Sequence, residues 1–427
     1  MLDQPLPSHL MPLSRAARRL YELERGLRVL KAISWGPEVA ERFFANGARE
    51  LPEVSYPPFD PAETLEGVAD LRPLLEGDSA VHRWLQRTAG YVEDTARLLA
   101  SAGTPEFARW SKALFGHPGN LLLDNATRPL DLAESLDSIL REFDHGDLIE
   151  GESVRYLSAE DLRQRLLTPI ARVFGEAAPE ILIEEHLSAK AVAGGSYIKL
   201  RADARFSDLD ATQLLHHEAY VHIATSMNGR LQSAFPILGA GHAGTTRTQE
   251  GLAVLAELIS RAIDPARMHR LADRVIAIQM SLDGADFLDL YTFFRERTHD
   301  EFEAFENARR VVRGGLVTGG APFTKDGVYL EGLLRVHNYL RVAVARGDVR
   351  YIRLLFAGKF DLTDMPAILE LDEAGVLEPP AYLPPWSSDM RNLVAYLAFA
   401  RFVYAMDLGP VEAFYDELFT SREMDVS

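Results

Sequence analysis

Apolar residues recur at helical spacing along most of the chain. Leu20, Leu23, Leu27, Leu30 and Phe43 mark the first such stretch, before Pro52, Pro57, Pro58 and Pro61 break the pattern. The periodicity then predicts amphipathic helices over 81–101 and 130–143. A third runs over 162–174, headed by a capping box in which Ser158 pairs with Asp161. Residues 1–175 therefore read as a mostly helical N-terminal region, and no catalytic constellation stands out in it.

The texture changes after Pro179. Short runs at 181–184, 189–192 and 196–200, separated by polar or glycine turns, predict a small antiparallel sheet. A long helix follows. Ser207, Asp208 or Asp210 caps it, Leu214, Leu215, Ile223 and Met227 carry it, and Asn228-Gly229 suits a left-handed stop. The next helix is expected over 248–263, ended by Asp264-Pro265. Helical patterns resume at 268–280, 286–297, 299–312, 325–346 and 393–419, the last interrupted at Gly409-Pro410. The glycine-rich stretch 313–320 reads as a loop. It lacks the strand and the Gly-Lys-Ser/Thr ending of a phosphate cradle. The fold class is thus α+β, predominantly helical, with a second region over 176–427.

A chain of 427 residues is long enough for more than one packing unit. Its 45 Lys and Arg against 63 Asp and Glu give a net charge of -18, which argues against nucleic acid and anionic lipid as partners. The first fourteen residues lack the pattern of a secretion signal. The apolar stretch 393–406 is short and carries Arg401, so no membrane span is expected, and the absence of cysteine fits an expected cytoplasmic location. There is no cysteine, so any metal must be held by His, Asp or Glu.

That restriction directs attention to His216-His217-Glu218-Ala219-Tyr220-Val221-His222. On an ideal helix, histidines five apart diverge by about 140°, too far for both to reach one ion at about 2 Å. A π-type irregularity would restore a common face. Glu250 lies in Gln249-Glu250-Gly251-Leu252-Ala253 at the start of the next helix. It would complete a two-histidine, one-carboxylate set suited to one zinc ion per chain. Gly251 is expected to let that helix approach the histidine helix closely. Glu257, two turns further on, is the candidate acceptor behind a ligand. His216 is expected to face elsewhere, and His242 is a candidate substrate contact.

The His-Glu-x-x-x-His and Gln-Glu-Gly-Leu-Ala segments are followed by Arg313-Gly314-Gly315 and by the run from Gly319 to Tyr329. Together, over residues 181–340, they resemble the tyrosine carboxypeptidase-like family, which includes the microtubule-associated tyrosine carboxypeptidases and a bacterial branch named for its QEGLA motif. The resemblance implies zinc on His217, His222 and Glu250, with Glu218 as catalytic base. It also implies a zincin-like fold with the sheet beside the active helix, and a zinc-dependent peptide hydrolase acting on peptide or protein C-termini. Such an enzyme needs a cation for the terminal carboxylate, for which Arg313 and Lys325 are the candidates. Tyr329 and Tyr197 are candidates to donate to the oxyanion. A non-peptidase zinc amidohydrolase and a non-catalytic metal-binding regulator remain as alternatives.

Overall fold

The computed structural model of the protein describes residues 6–143, 156–187, 190–298 and 300–403. Most of these residues are helical. Helix α1 (Met11–Glu24) buries Leu13, Ala16, Ala17, Leu20 and Leu23 along one stripe. Helix α2 (Ala80–Ala100) begins at Ser79, whose hydroxyl accepts from the His82 backbone N–H and satisfies one of the helix's free donors. Helices α3 (Glu106–Phe115) and α4 (Pro129–Glu142) follow. Helix α5 (Ala159–Phe174) carries the expected capping box: the Asp161 N–H donates to Ser158 Oγ while the Asp161 carboxylate accepts from the Ser158 N–H.

Strands β1 (Glu180–Glu184), β2 (Ala191–Ala193) and β3 (Tyr197–Arg201) form one sheet in the order β1-β3-β2. The sheet is mixed, which corrects the antiparallel expectation. β2 pairs antiparallel with β3, but β3 lies between β2 and β1 and runs parallel to β1, with Ile181 opposite Ile198. Ile198 and Leu200 of the middle strand join Leu162, Leu166 and Ile170 of α5 in a core that also takes in Ala219, Tyr220 and Ile223.

Next comes a helix in three parts: α6 (Asp208–Gln213), a π-helical segment Leu214–Ile223, and α7 (Ala224–Leu231). Ser207 caps it together with Asp210. Asn228-Gly229 does not stop it. Both residues are buried within α7, where Asn228 Oδ1 accepts from the Ala381 and Tyr382 N–H groups. A Cβ at Gly229 would lie 2.0 Å from the Leu238 carbonyl oxygen, so the glycine serves close packing instead of a left-handed turn.

Helix α8 (Ala243–Ile259) ends at Ser260, and Asp264 caps α9 (Pro265–Leu282) instead of closing α8. Helices α10 (Phe287–Thr298), α11 (Glu301–Val312) and α12 (Val328–Arg346) continue the chain. α8 packs most extensively on α12. Their backbones meet at two glycines, since a Cβ on Gly251 would stand 2.2 Å from the Gly332 carbonyl. Gly251 thus brings α8 against α12, which corrects the expectation that it faces the histidine helix. The largest core joins Leu20, Trp84, Leu252 and Leu340 with Phe356, so it draws on both sides of residue 175. The late helical pattern appears as α13 (Arg391–Val403), whereas Gly409-Pro410 lies outside the described residues. Among the described residues no helix is long and apolar enough to cross a membrane.

Candidate metal centre

In the π segment the backbone hydrogen bonds span five residues instead of four, so residues five apart face the same way. His217 and His222 therefore converge, with ring centroids 4.8 Å apart and planes inclined by 77°. The irregular turn expected from their spacing is present. Glu250, from the second turn of α8, meets them. Its Oε2 lies 3.7 Å from His217 Nε2 and 3.5 Å from His222 Nε2, and all three donor atoms fall within 4.8 Å of one another. Donors around a tetrahedral ion with bonds near 2 Å stand about 3.3 Å apart, so the set fits a zinc-sized cation in both chemistry and spacing.

A family model described as microtubule-associated tyrosine carboxypeptidase matches residues 41–405. The chain belongs to this family. The match extends well beyond residues 181–340, where the motifs lie, and takes in most of the N-terminal helices. No individual curated protein matches the chain.

Within this carboxypeptidase family member, the surroundings of the cluster are charged and mostly paired. His217 Nδ1 lies 2.6 Å from Glu257 Oε1, and donating that proton leaves the Nε2 lone pair turned toward Glu250. Glu257 is fully buried. Arg267 grips it through two bonds of 3.0 Å. Burial alone would raise the Glu257 pKa, but the hydrogen bond from His217 and the charge of Arg267 outweigh it and hold the carboxyl at about 2. Burial would lower the His217 pKa, but the hydrogen bond to Glu257 and the charges of Glu218, Glu257 and Glu250 raise it.

On the other face, Lys325 Nζ donates to Glu250 Oε1 at 3.1 Å. Burial again pushes the Glu250 carboxyl upward, yet Lys325 and the two histidines hold it well below the usual carboxylate range. The two segments are also tied directly, because Thr225 Oγ1 in α7 donates to Gln249 Oε1 in α8 at 2.8 Å.

Glu218 and His217 line a cleft of about 460 Å³, together with Tyr329, Arg267, Arg274 and Arg310. Tyr329 lies under a ring of cations: Arg274 stands 5.0 Å from its centroid, Lys325 5.4 Å and Arg267 5.9 Å. Burial raises its phenol. Lys325 and Tyr329 are thus brought to the cluster.

The other candidates stand apart. Arg313 does not line the cleft; its guanidinium lies over Phe323, 5.6 Å from the ring. Tyr197, at the head of β3, is 37% exposed and covers Gly194. His242 precedes α8 with its ring beside Tyr91, and burial lowers its pKa to about 4. It lines a separate chamber of about 180 Å³ with Lys325 and Glu24. His216 sits edge-on to Tyr220, away from the cluster.

Sequence reasoning missed the cleft arginines and Lys359. Burial lowers the Lys359 ammonium to about 8, against the opposing pull of Glu250 and Glu218. Arg267, Arg270 and Arg274 repeat at three and four residues on α9, a legible stripe, but such a stripe ordinarily marks a solvated helix face.

Proposed function

We propose that the protein is a zinc-dependent carboxypeptidase that trims the C-termini of peptides or proteins in the cytoplasm. The observation that carries the reading is the convergence of His217, His222 and Glu250 beside Glu218, a carboxylate that faces the cleft and lies 3.9 Å from His217 Nε2. His217, His222 and Glu250 would hold one zinc ion, which when bound supplies Lewis acidity and acidifies water.

The chain's own groups supply the remaining chemistry. Glu218 accepts the proton of the attacking water and returns it to the leaving amine. Glu257 fixes the ring orientation of His217, and Arg267 fixes Glu257. Tyr329 donates to the carbonyl oxygen as negative charge develops there. The sheet beside the π segment is the counterpart of the sheet flanking a zincin's active helix, so this reading includes a zincin-like fold. The family description names tyrosine as the residue removed and microtubules as the association. Only C-terminal trimming is carried over to this chain.

The test compares zinc-loaded protein with its Glu218→Gln variant on matched peptides ending in a free or an amidated carboxyl group, read by mass spectrometry. Loss of one C-terminal residue from the free form is expected, with turnover falling about a thousandfold in the variant while zinc content is kept. Equal cleavage of both forms at internal bonds would replace the exopeptidase reading. Hydrolysis unchanged in Glu218→Gln would remove Glu218 as base.

A further inference from the structure

The cleft is cationic in a chain whose net charge is -18. Three of the cations around Tyr329 have a carboxylate of their own. Arg267 holds Glu257 at 3.0 Å through both of its bonds, Arg310 holds Asp326 at 2.6 and 3.2 Å, and Lys325 holds Glu250 at 3.1 Å. Arg274 has none. Its nearest carboxylate oxygen is Asp326 Oδ2 at 3.9 Å, which Arg310 already occupies, and its Nε is buried without a hydrogen-bond partner. The side chain is only 12% exposed, and its guanidinium is held over the Tyr329 ring. A desolvated guanidinium with unmet donors is costly until an anion completes it, and a divalent ion in the cluster adds to the positive excess.

The anion is identified by shape and place. A planar fork of N–H donors matches the two oxygens of a carboxylate, and Arg274 lines the same cleft as Glu218. Lys325 is committed to Glu250, and Arg313 lies over Phe323 outside that cleft. We propose that Arg274 binds the substrate's C-terminal carboxylate, an inference that rests on the carboxypeptidase reading above. Tyr329 then has two tasks, carrying the guanidinium on its ring and presenting its hydroxyl to the substrate.

The zinc-loaded Glu218→Gln protein serves as a binding form that does not turn over. Two fluorescent peptides, identical except for a free or an amidated terminus, are titrated against it and against forms that also carry Arg274→Gln, Arg274→Lys, Arg270→Gln or Lys359→Met. Zinc content and unfolding temperature are measured for each. The parent is expected to prefer the free terminus. Arg274→Gln should weaken binding of that peptide by about 10- to 100-fold and leave the amidated one unchanged, while Arg274→Lys restores part of the loss. Arg270→Gln and Lys359→Met should keep the preference.

A preference that survives Arg274→Gln in folded, zinc-replete protein overturns the assignment, as does one erased by Arg270→Gln, the neighbouring cleft arginine, or by Lys359→Met instead. If Arg274→Gln does not fold, Arg274→Lys decides, and undiminished affinity for the free terminus rejects the proposal. Equal affinity of the parent for both peptides would remove the carboxypeptidase reading and this inference together.

Discussion

Two segments supply the candidate metal cluster, and they are built in opposite ways. The histidine segment departs from the α-helix over Leu214–Ile223, so its backbone period matches the five-residue spacing of His217 and His222. α8 stays regular around Glu250 and is placed from outside, by the contact of Gly251 with Gly332 and by the Thr225–Gln249 bond. Two ligands on one segment demand a backbone whose period fits them. A single ligand on a second segment demands only a close approach. The first requirement is written in the spacing of residues, the second in what packs behind them.

The comparison breaks most sharply at the ligands. His222→Ala and Glu250→Ala should each lower zinc affinity by more than a hundredfold, because even partners behind a ligand are worth 10- to 100-fold. Competition with a chromophoric chelator measures this. If either variant keeps full occupancy at limiting zinc, that segment does not belong to the centre. Gly251→Val should cost about 3 kcal/mol of stability, since the new side chain meets backbone that cannot move aside. A denaturant midpoint equal to that of the parent would show that the α8–α12 approach is not what holds Glu250.

Glu257→Gln should lower zinc affinity by about 10-fold or more while the ligands remain. Unchanged affinity would mean that the π segment alone orients His217. The smallest effect concerns Asp361, which ties the two packed helices by accepting from Thr248 Oγ1 of α8 and from the Arg335 guanidinium of α12. Burial would raise its pKa, but Arg335 and the Thr363 hydrogen bonds hold it below the ordinary 3.8. Its contribution is therefore complete above about 3.8 and is lost as pH falls through the lower folded value. Asp361→Asn should cost about 1 to 2 kcal/mol at neutral pH and flatten the loss of stability below about pH 4. An acid limb as steep as the parent's would contradict this.

What could be read from the residues alone follows the same division. The capping box at Ser158, a cap among Ser207, Asp208 and Asp210, the helix α2 and the need for an irregular turn between His217 and His222 are local matters of spacing, and the structure contains them. The direction of β1 against β3 depends on which strand is inserted between which, and alternation within a strand does not encode it. Asn228-Gly229 carries the residues of a helix stop, yet contacts with Leu238 and Tyr382 keep it inside α7. Gly251 was legible as a site of close approach, but its partner Gly332 is 81 positions away. Lys325, a candidate for a substrate's carboxylate on its sequence context, meets Glu250's instead, because only the fold brings those two charges together.

The donor set has one more consequence, and it concerns damage. The chain contains no cysteine, so the cluster consists of imidazole and carboxylate throughout. None of these donors climbs the sulfur oxidation ladder, so peroxide has no thiolate to attack and no reductase is needed to restore the site. What competes with a metal here is the proton, since imidazole and carboxylate bind only in their deprotonated forms. Retention of an ion held there would therefore depend on acidity and not on the oxidation of a thiol.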